Sequence, residues 1–412
     1  MVASLDVDRI RAEIPATSSL IYANSGWQGP APRAVIDAVR DAFEMESEAP
    51  TAPPVNERRL AVFRGARAAM ARLIGATPDE VTLQQNTTEG INIIAGGLGL
   101  QPGDEVITCS LEHPSVVVPF YYTREKFGAT CKVVRLSARD SDADVLAKFE
   151  EAITPATKLV MLSHVPYAGG QVLPAREIAG LAHQRGAHVL LDVAQSVGQM
   201  PLDVRDLDCD FVAFPGHKWL LGPAGTGALY VRRDLIDRLD PIRVAHRASE
   251  SYNFRGDFRP RGDSVDKFEL TTVSVPLLAG LIAAVEFVEG IGLDAIWERT
   301  QRLGRYATHR LGRLPDVRFV SAGDEESVSS GLVSFSLPNV PPDVLTACLW
   351  ERGRVVARTV PDASCSRLSL HVFNTEAEID AALDIVEELA RRGPPAGEHP
   401  TIQVESDTMM EL

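Results

Sequence analysis

A lysine between two tight turns is the residue in this chain best suited to covalent chemistry. Lys218 follows the apolar run Phe211–Phe214 and the dipeptide Pro215-Gly216, and a glycine-rich turn comes directly after it. A lysine amine held at the end of a strand can form a Schiff base with an aldehyde, although most lysines near strand ends are only solvated. Because the glycines follow the lysine, the segment lacks the order of a phosphate-binding P-loop.

A carboxylate earlier in the chain narrows the possible chemistry. Asp192 lies near the end of the apolar run Val189–Val193, which reads as a buried strand. A pyridoxal 5′-phosphate (PLP) site requires an amine that reacts with the cofactor aldehyde and an acid that pairs with its pyridinium nitrogen. We therefore predict that PLP is the cofactor and that Lys218 and Asp192 are both catalytic and cofactor-binding. We expect no metal, since the cysteines lack metal-ligand spacing.

A polar segment that follows a strand and opens a helix could hold the cofactor phosphate. The segment is Gln85–Asn92, with Thr87 and Thr88 at its centre. Helix N-termini favour anions, and threonine hydroxyls add hydrogen bonds. A plain helix cap by Thr88 explains the same residues. Within a PLP site we favour a phosphate cup with Thr88 as the main ligand.

Two histidines and two arginines complete the candidates. His113 follows another strand and could stack on a pyridine ring and assist proton transfer, while His217 could contact phosphate. Either histidine could equally be structural. Arg358 and Arg367 each abut an apolar, strand-like stretch, which favours capture of a substrate carboxylate over the more usual surface charge.

These residues require a sheet whose strands end at one crevice. The candidate strands are Val81–Gln85, Glu105–Cys109, Lys132–Leu136, Lys158–His164, His188–Val193, Asp210–Phe214 and Gly227–Arg232. Helical patterns such as Arg176–Arg185 separate them. This alternation predicts an α/β fold, with a mostly parallel seven-stranded sheet and helices on both faces. Ligands of such sheets lie beyond the strand C-termini, where Asp192 and Lys218 fall.

A smaller α+β C-terminal domain is predicted after the sheet. Its helices are Leu277–Gly290, Leu293–Leu314 and Thr375–Arg392, and its strands are Gly331–Leu337 and Val355–Thr359. We predict four parts: an N-terminal segment (1–20) that packs with the small domain, a large PLP-binding domain (21–275), the small domain (276–392) and a disordered tail (393–412).

Composition excludes several kinds of partner. The 412 residues carry a net charge of −15, which argues against a nucleic-acid surface and a polybasic membrane binder. No run of 18 apolar residues suggests a membrane span, and no signal peptide is expected. Five scattered cysteines fit a reducing compartment. We expect a cytoplasmic protein with no nucleic-acid or membrane partner.

Several ordered motifs carry a family resemblance. They are NTTEG at 86–90, LEHPSVVVP at 111–119, LLDVAQSVG at 190–198, GHKW at 216–219 and RLSLHVFNTEAEID at 367–380. In order and spacing the chain resembles the class V aminotransferase family of PLP fold type I over about residues 22–390. Within that family it is most similar to the cysteine/cystine C–S lyase branch.

The resemblance implies a role for each candidate. Lys218 would form the Schiff base and shuttle the Cα proton, Asp192 would pair with the pyridinium nitrogen, and His113 would stack on the ring. The other implied cofactor contacts are Gln195 to the phenolic oxygen, Thr88 and His217 to the phosphate, and Thr272 to the phosphate of a neighbouring subunit. The last contact implies a homodimer with shared active sites. The implied substrate-binding residues are Arg367, Arg358 and Asn24, and Trp27, Tyr167, His246 and Tyr252 are candidates to line the pocket.

Three departures from the family pattern shape the functional hypothesis. Cys365 does not match the nucleophilic loop cysteine of cysteine desulfurases, Pro215 replaces a phosphate-binding serine, and Ala168 replaces an asparagine near the substrate. Our leading hypothesis is a C–S β-lyase acting on an L-cysteine derivative, which yields a thiol or persulfide, pyruvate and ammonia. Ala168 leaves decarboxylation-coupled oxidative deamination or epimerisation open. A cysteine desulfurase ranks third, and a non-catalytic protein ranks last.

Overall fold

A computed structural model describes residues 5–394 of the chain. The first eight strands are β1 (Ile21–Tyr22), β2 (Val81–Gln84), β3 (Glu105–Cys109), β4 (Thr130–Val134), β5 (Thr157–Ser163), β6 (His188–Asp192), β7 (Phe211–Pro215) and β8 (Gly227–Val231). The later strands are β9 (Ser249–Tyr252), β10 (Phe258–Pro260), β11 (Arg318–Phe319), β12 (Leu332–Ser336), β13 (Val355–Val356), β14 (Arg358–Val360) and β15 (Cys365–Ser369).

The α-helices of the described residues flank these strands. The helices before β8 are α1 (Val7–Ala12), α2 (Arg33–Glu48), α3 (Pro53–Leu73), α4 (Thr87–Gly97), α5 (Pro114–Phe127), α6 (Asp142–Ala152) and α7 (Ala175–His183). Those after it are α8 (Val275–Ile291), α9 (Leu293–Gly312), α10 (Pro342–Gly353) and α11 (Glu376–Arg392). No single helix among residues 5–394 has the length and apolarity to cross a membrane; α8 and α9, bent by 76°, pass that test only as a pair.

A seven-stranded sheet forms the centre of the molecule, in the order β2-β8-β7-β6-β5-β3-β4. Only β8 runs antiparallel to its neighbours, so the sheet is mostly parallel. Side chains alternate between two cores: Val160 and Leu191 pack on one face with helix residues such as Met70, while Met161 and Leu190 pack on the other. Because helices cover both faces, the strands are continuously apolar. The prediction of an α/β fold of this kind is confirmed.

A second, antiparallel sheet has the order β11-β12-β15-β14 and packs with α9, α10 and α11 around a separate core. The predicted strand Val355–Thr359 is divided, because β13 pairs with β1 while β14 pairs with β15. The N-terminal segment contacts this region through Arg11, which forms a 2.8 Å ion pair with Glu378. The predicted domain boundaries remain predictions, and most of the predicted disordered tail lies outside the described residues.

Candidate active site

A polar cavity of about 210 Å³ lies beyond the carboxyl ends of β2, β3, β6 and β7. Its lining residues are Trp27, Asn86, Thr87, Thr88, His113, Ser115, Asp192, Ala194, His217, Lys218 and Arg358. Seven of the eleven predicted catalytic, cofactor-binding and substrate-binding residues, and the pocket candidate Trp27, are therefore brought together. The other four, Asn24, Gln195, Thr272 and Arg367, do not line this cavity in the single chain.

Lys218 and Asp192 face the cavity from the turn after β7 and from the end of β6. Burial lowers the pKa of Lys218 to about 8, the charge of Asp192 opposes this shift, and Arg358 and Arg367 add to it. Burial raises the pKa of Asp192, while Lys218 and the Ala194 amide lower it. The Ala194 N–H donates to Asp192 Oδ1 at 2.8 Å and fixes the carboxylate. The pair supplies a reactive amine and a buried acid.

The amino end of α4 forms one wall. Asn86 caps the helix by accepting a 2.9 Å hydrogen bond from the Glu89 amide. The alternative in which Thr88 caps the helix is therefore wrong, because α4 already begins at Thr87. Thr88 Oγ1 instead donates to Ser115 Oγ at 2.9 Å, inside the cavity. This wall offers hydroxyls and free helix N–H groups, which suit an anion.

His113 lies at the start of α5 with a fixed ring. The Ser115 amide donates to His113 Nδ1 at 3.1 Å. Burial lowers the pKa of His113 to about 3, and the charges of Lys218, Arg358 and Arg367 contribute. The ring of Tyr167 meets it edge to face at 4.9 Å. His113 is consequently a neutral aromatic wall at physiological pH.

The two arginines come from the second sheet. Arg358 on β14 and Arg367 on β15 are directly opposite in the antiparallel register, so their side chains share one face. Arg367 Nη1 donates to the Tyr167 carbonyl at 2.7 Å, while its Nε and Nη2 are buried without a partner among the described residues. Burial and, to a smaller extent, the charge of Arg358 together lower the pKa of Arg367 to about 9. Neither guanidinium group forms an ion pair with a carboxylate among residues 5–394, although the charge of Asp362 opposes the lowering of the pKa of Arg358 by burial.

Gln195 and Asn24 lie behind the cavity, close to Arg367. Gln195 Oε1 accepts from the Trp219 indole N–H at 2.8 Å, and Gln195 Nε2 donates to the Gly26 carbonyl at 2.9 Å. Asn24 Oδ1 is buried without a hydrogen-bond partner among the described residues. A side chain at Gly26 would meet Arg367 Nη2 and Gln195 Oε1 at 3.0 Å each. The segment 24–29 is therefore part of the site.

Thr272, predicted to serve a neighbouring subunit, and the pocket candidates His246 and Tyr252 do not line this cavity. Thr272 is exposed and has a φ of 63°. His246 and Tyr252 line a different cavity, next to the hairpin of β9 and β10. Of the candidate pocket residues, Trp27 lines the cavity with Lys218, and Tyr167 packs on His113. The contact of Thr272 with a second copy remains a prediction.

Three lining residues were not identified from the sequence. Asn86 directly precedes Thr87 and is the N-cap of α4, while Ser115 lies two residues after His113, which is the N-cap of α5. Ala194 lines the cavity two residues after Asp192. A small side chain there has no chemical signal of its own.

The residue set fits PLP. His217 Nδ1 is buried without a hydrogen-bond partner among the described residues, and the open amino end of α4 lies across the same cavity. These groups would bind the phosphate, Asp192 would pair with the pyridinium nitrogen, and Lys218 would form the Schiff base with the aldehyde. Burial and, to a smaller extent, the charge of Lys218 together lower the pKa of His217 to about 4. A dianionic phosphate would offset the charge of Lys218.

Comparisons with known proteins agree with this chemistry. The family model for aminotransferase class-V matches residues 22–382. A cysteine desulfurase of Haloferax volcanii is 30% identical, and the alignment covers 93% of this chain and 96% of that protein. The cystine C–S lyase C-DES, solved with its product cysteine persulfide, has a TM-score of 0.85 and 30% identity over 92% of this chain and 100% of its own. A lysine variant of C-DES with glycine covalently linked to its PLP cofactor has a TM-score of 0.85 and 29% identity, covering 92% of this chain and 99% of its own.

Proposed function

The chain belongs to the class-V aminotransferase family and is a PLP-dependent enzyme, and we propose that it cleaves the C–S bond of an L-cysteine derivative. The substrate is cystine or an S-conjugated cysteine. β-Elimination releases the sulfur as a thiol or persulfide, together with aminoacrylate. Water then converts aminoacrylate to pyruvate and ammonium, which balances the reaction without an external oxidant.

Lys218 carries the proton in this proposal. When bound, PLP supplies the electron sink that makes the substrate Cα–H acidic. The Lys218 amine, with a pKa lowered to about 8, accepts the Cα proton at Nζ. The same ammonium then donates a proton to the departing sulfur, since it lies on the cavity wall beside Asp192.

Asp192 and His113 set the electrostatics around that step. The Asp192 carboxylate is 6% exposed and is aimed by the Ala194 amide, so its charge acts in a low-dielectric setting. His113 is neutral and provides an aromatic surface. Thr87, Thr88 and His217 would hold the phosphate, and Gln195 would reach the phenolic oxygen with the Nε2 hydrogen that Gly26 does not use.

Arg367, Arg358 and Asn24 would hold the substrate carboxylate. Arg367 and Arg358 present buried N–H donors without partners among the described residues, and Asn24 would donate from its side-chain NH2 group. Unpaired buried guanidinium N–H groups are costly, and a bidentate carboxylate would satisfy them. The resulting orientation brings the Cα–H to one side of the cavity.

The observation that favours a lyase over a desulfurase is the burial of the thiols. Cys109, Cys209, Cys348 and Cys365 are at most 1% exposed, and Cys131 is partly buried. Burial raises the pKa of Cys365 to about 11, although Arg367 and Arg358 oppose the shift. A persulfide acceptor must be an accessible thiolate. Direct release of the sulfur species fits these environments better than transfer to a protein cysteine.

A cysteine desulfurase is the second candidate, because relatives at 30% identity carry that name. Decarboxylation-coupled oxidative deamination or epimerisation was kept open by Ala168. Ala168 packs with Tyr167, Val360 and Cys365 in a small apolar cluster and does not line the cavity. Nothing in this packing favours either of those reactions.

Product analysis separates these reactions. The holoenzyme is incubated with cystine and a panel of S-substituted L-cysteines, and products are identified by mass spectrometry. Pyruvate and a free thiol or persulfide are expected. Alanine with a protein-bound persulfide would establish a desulfurase instead, and carbon dioxide with an aldehyde would establish decarboxylation. Lys218→Ala should abolish turnover, while the exposed Lys158→Ala should not.

A homodimer and a cytoplasmic location belong to the same proposal. Thr272 lies exposed and outside the cavity of its own chain, as a residue that serves a neighbouring subunit would. All five cysteines are free thiols, which fits a reducing compartment.

A further inference from the structure

Trp27 stands in the cavity against Arg358. The guanidinium carbon of Arg358 lies 4.8 Å from the centroid of the indole ring, over its face. Trp27 is 41% exposed and is the only large apolar side chain among the lining residues of this described cavity. A half-exposed indole in a polar cavity contributes little to a hydrophobic core. Its contact with the guanidinium needs a separate explanation.

Arg358 is prepared for a ligand in the plane of its guanidinium. Its Nε is buried and has no hydrogen-bond partner among the described residues. Burial lowers its pKa, while the nearby Tyr167 and Asp362 oppose the shift. A guanidinium donates its N–H groups in its own plane and stacks on aromatic rings through its face. The contact with the indole face uses no hydrogen-bond acceptor, so the buried Nε–H of Arg358 remains available to a carboxylate.

The two arginines differ in how they are held. Arg367 is anchored by a 2.7 Å hydrogen bond to the Tyr167 carbonyl. For Arg358 the stacking on Trp27 is the restraint that the structure shows. An arginine has a large side-chain entropy, so a residue that limits its rotamers lowers the cost of binding an anion.

We propose that Trp27 is a positioning residue that holds the Arg358 guanidinium in place for the substrate carboxylate. The inference rests on the proposed function only in taking the substrate to be an amino acid. Trp27 itself touches no reacting atom. It acts through Arg358, and the ligand it favours is an anion rather than a neutral group of the same shape.

The test measures binding without turnover. The holoenzyme is titrated by calorimetry with 3-(methylthio)propanoate, which has the carboxylate and thioether of S-methylcysteine but no amine to react. The neutral probe is the matching 3-(methylthio)propanamide. From the strength of a partly buried cation–π contact, Trp27→Ala should weaken carboxylate binding about tenfold and amide binding by less than about twofold. Trp27→Phe should recover most of the affinity, because it keeps an aromatic face.

Two controls isolate the mechanism. Trp350 stacks in the same way on Arg354, at 4.1 Å and outside the cavity, so Trp350→Ala should bind both probes as the wild type does. In an Arg358→Met background, Trp27→Ala should cause no further loss, because the two residues act as one unit. With S-methyl-L-cysteine as substrate, Trp27→Ala should raise KM more than it lowers kcat.

Three results would overturn the inference: unchanged carboxylate affinity in Trp27→Ala, an equal loss for the amide, or an additional loss in the Arg358→Met background. Circular-dichroism melting of each variant confirms that it is folded. If the wild type turns over no cysteine derivative, the proposed function fails, yet the titrations still decide the role of Trp27.

Discussion

At the scale of single residues, the amine of Lys218 is placed among charges of both signs. Burial and the two arginines stabilise the neutral amine, while Asp192 stabilises the ammonium, and the balance brings the pKa down to about 8. The neutral amine is the form that attacks an aldehyde. The environment of this lysine therefore controls how readily the enzyme takes up its cofactor.

The rate at which cofactor-free enzyme captures PLP should rise with pH and level off near pH 8, the lowered pKa of Lys218. Below that value the neutral fraction grows about tenfold for each pH unit. Stopped-flow absorbance between about pH 6.5 and about pH 9.5 avoids titration of the cofactor phosphate, whose second pKa is about 6. Arg358→Met should move the midpoint upward, because it removes a charge that lowers the pKa. A profile that is flat over this range would contradict the shift.

Cys365 provides a residue-scale test of the sulfur chemistry. Cys365→Ala should retain sulfur release to within about threefold, since the thiol is buried with a raised pKa and a one-atom truncation leaves a small cavity. Pyruvate and released thiol are measured together. Loss of sulfur release with intact folding would make Cys365 a persulfide acceptor and favour the desulfurase. Cys348→Ala, at a buried position of α10 that does not line the cavity, is the matched control.

Reactive side chains could be predicted from the sequence where they lie at the end of an apolar strand or within four residues after it. Lys218, Asp192 and His113 all meet that description. The residues that support these side chains do not show such a pattern. The Gln195 amide is held by Trp219 and by the Gly26 carbonyl, and the second of these contacts spans 169 residues. No local pattern encodes such a contact.

At the scale of elements, the segment 24–29 is clamped onto the turn that carries Lys218. The Gly29 amide donates to the His217 carbonyl at 2.7 Å. A Cβ at Gly29 would overlap the Lys218 carbonyl oxygen, so only glycine permits this approach. The clamp keeps Trp27 and Asn24 at fixed positions relative to the lysine.

Gly29→Ala should therefore loosen the site. The overlap is with backbone, which cannot rotate away, so we expect a loss of about 1–3 kcal/mol in the free energy of unfolding and weaker PLP retention. Gly180→Ala is the matched control, because Gly180 lies in α7 with open space around it and alanine favours helix. Thermal melting and the PLP absorbance after dialysis measure both effects. Equal retention of PLP in the two variants would contradict the clamp.

Element boundaries were predictable where periodicity and capping agree. Thr375 caps α11 in a capping box with Glu378, as the sequence indicates. The pairing of short strands was harder to predict from the sequence. The division of residues 355–359 into β13 and β14 follows from two different partners, β1 and β15. One of those partners lies more than three hundred residues earlier in the chain.

At the scale of the whole molecule, the site joins two sheets. Lys218 and Asp192 come from the seven-stranded sheet, and Arg358 and Arg367 come from the four-stranded sheet. Sequence reasoning identified both groups by residue type. The two groups meet only because the two sheets pack against each other in a particular way. The hydrophobic periodicity of the strands does not encode that packing.

The surface of the hairpin formed by β9 and β10 suggests that the chain does not work alone. The hairpin of β9 and β10 carries Tyr252, Phe254 and Phe258, all more than half exposed. Exposed aromatic side chains in one place are unusual on a monomer and typical of an interface. A second copy of the chain is the partner expected from the position of Thr272, outside the cavity of its own chain.

Light scattering after size-exclusion chromatography should give twice the chain mass of 44.6 kDa. Phe254→Asp, which puts a charge on the most exposed of these rings, should shift the equilibrium toward monomer and weaken PLP retention, because Thr272 would be withdrawn from the neighbouring site. Trp350→Asp changes an exposed aromatic residue on α10 instead and should leave the mass unchanged. A wild-type mass of one chain, with full PLP retention and activity, would mean that each cavity is complete within its own chain and that Thr272 has no part in it.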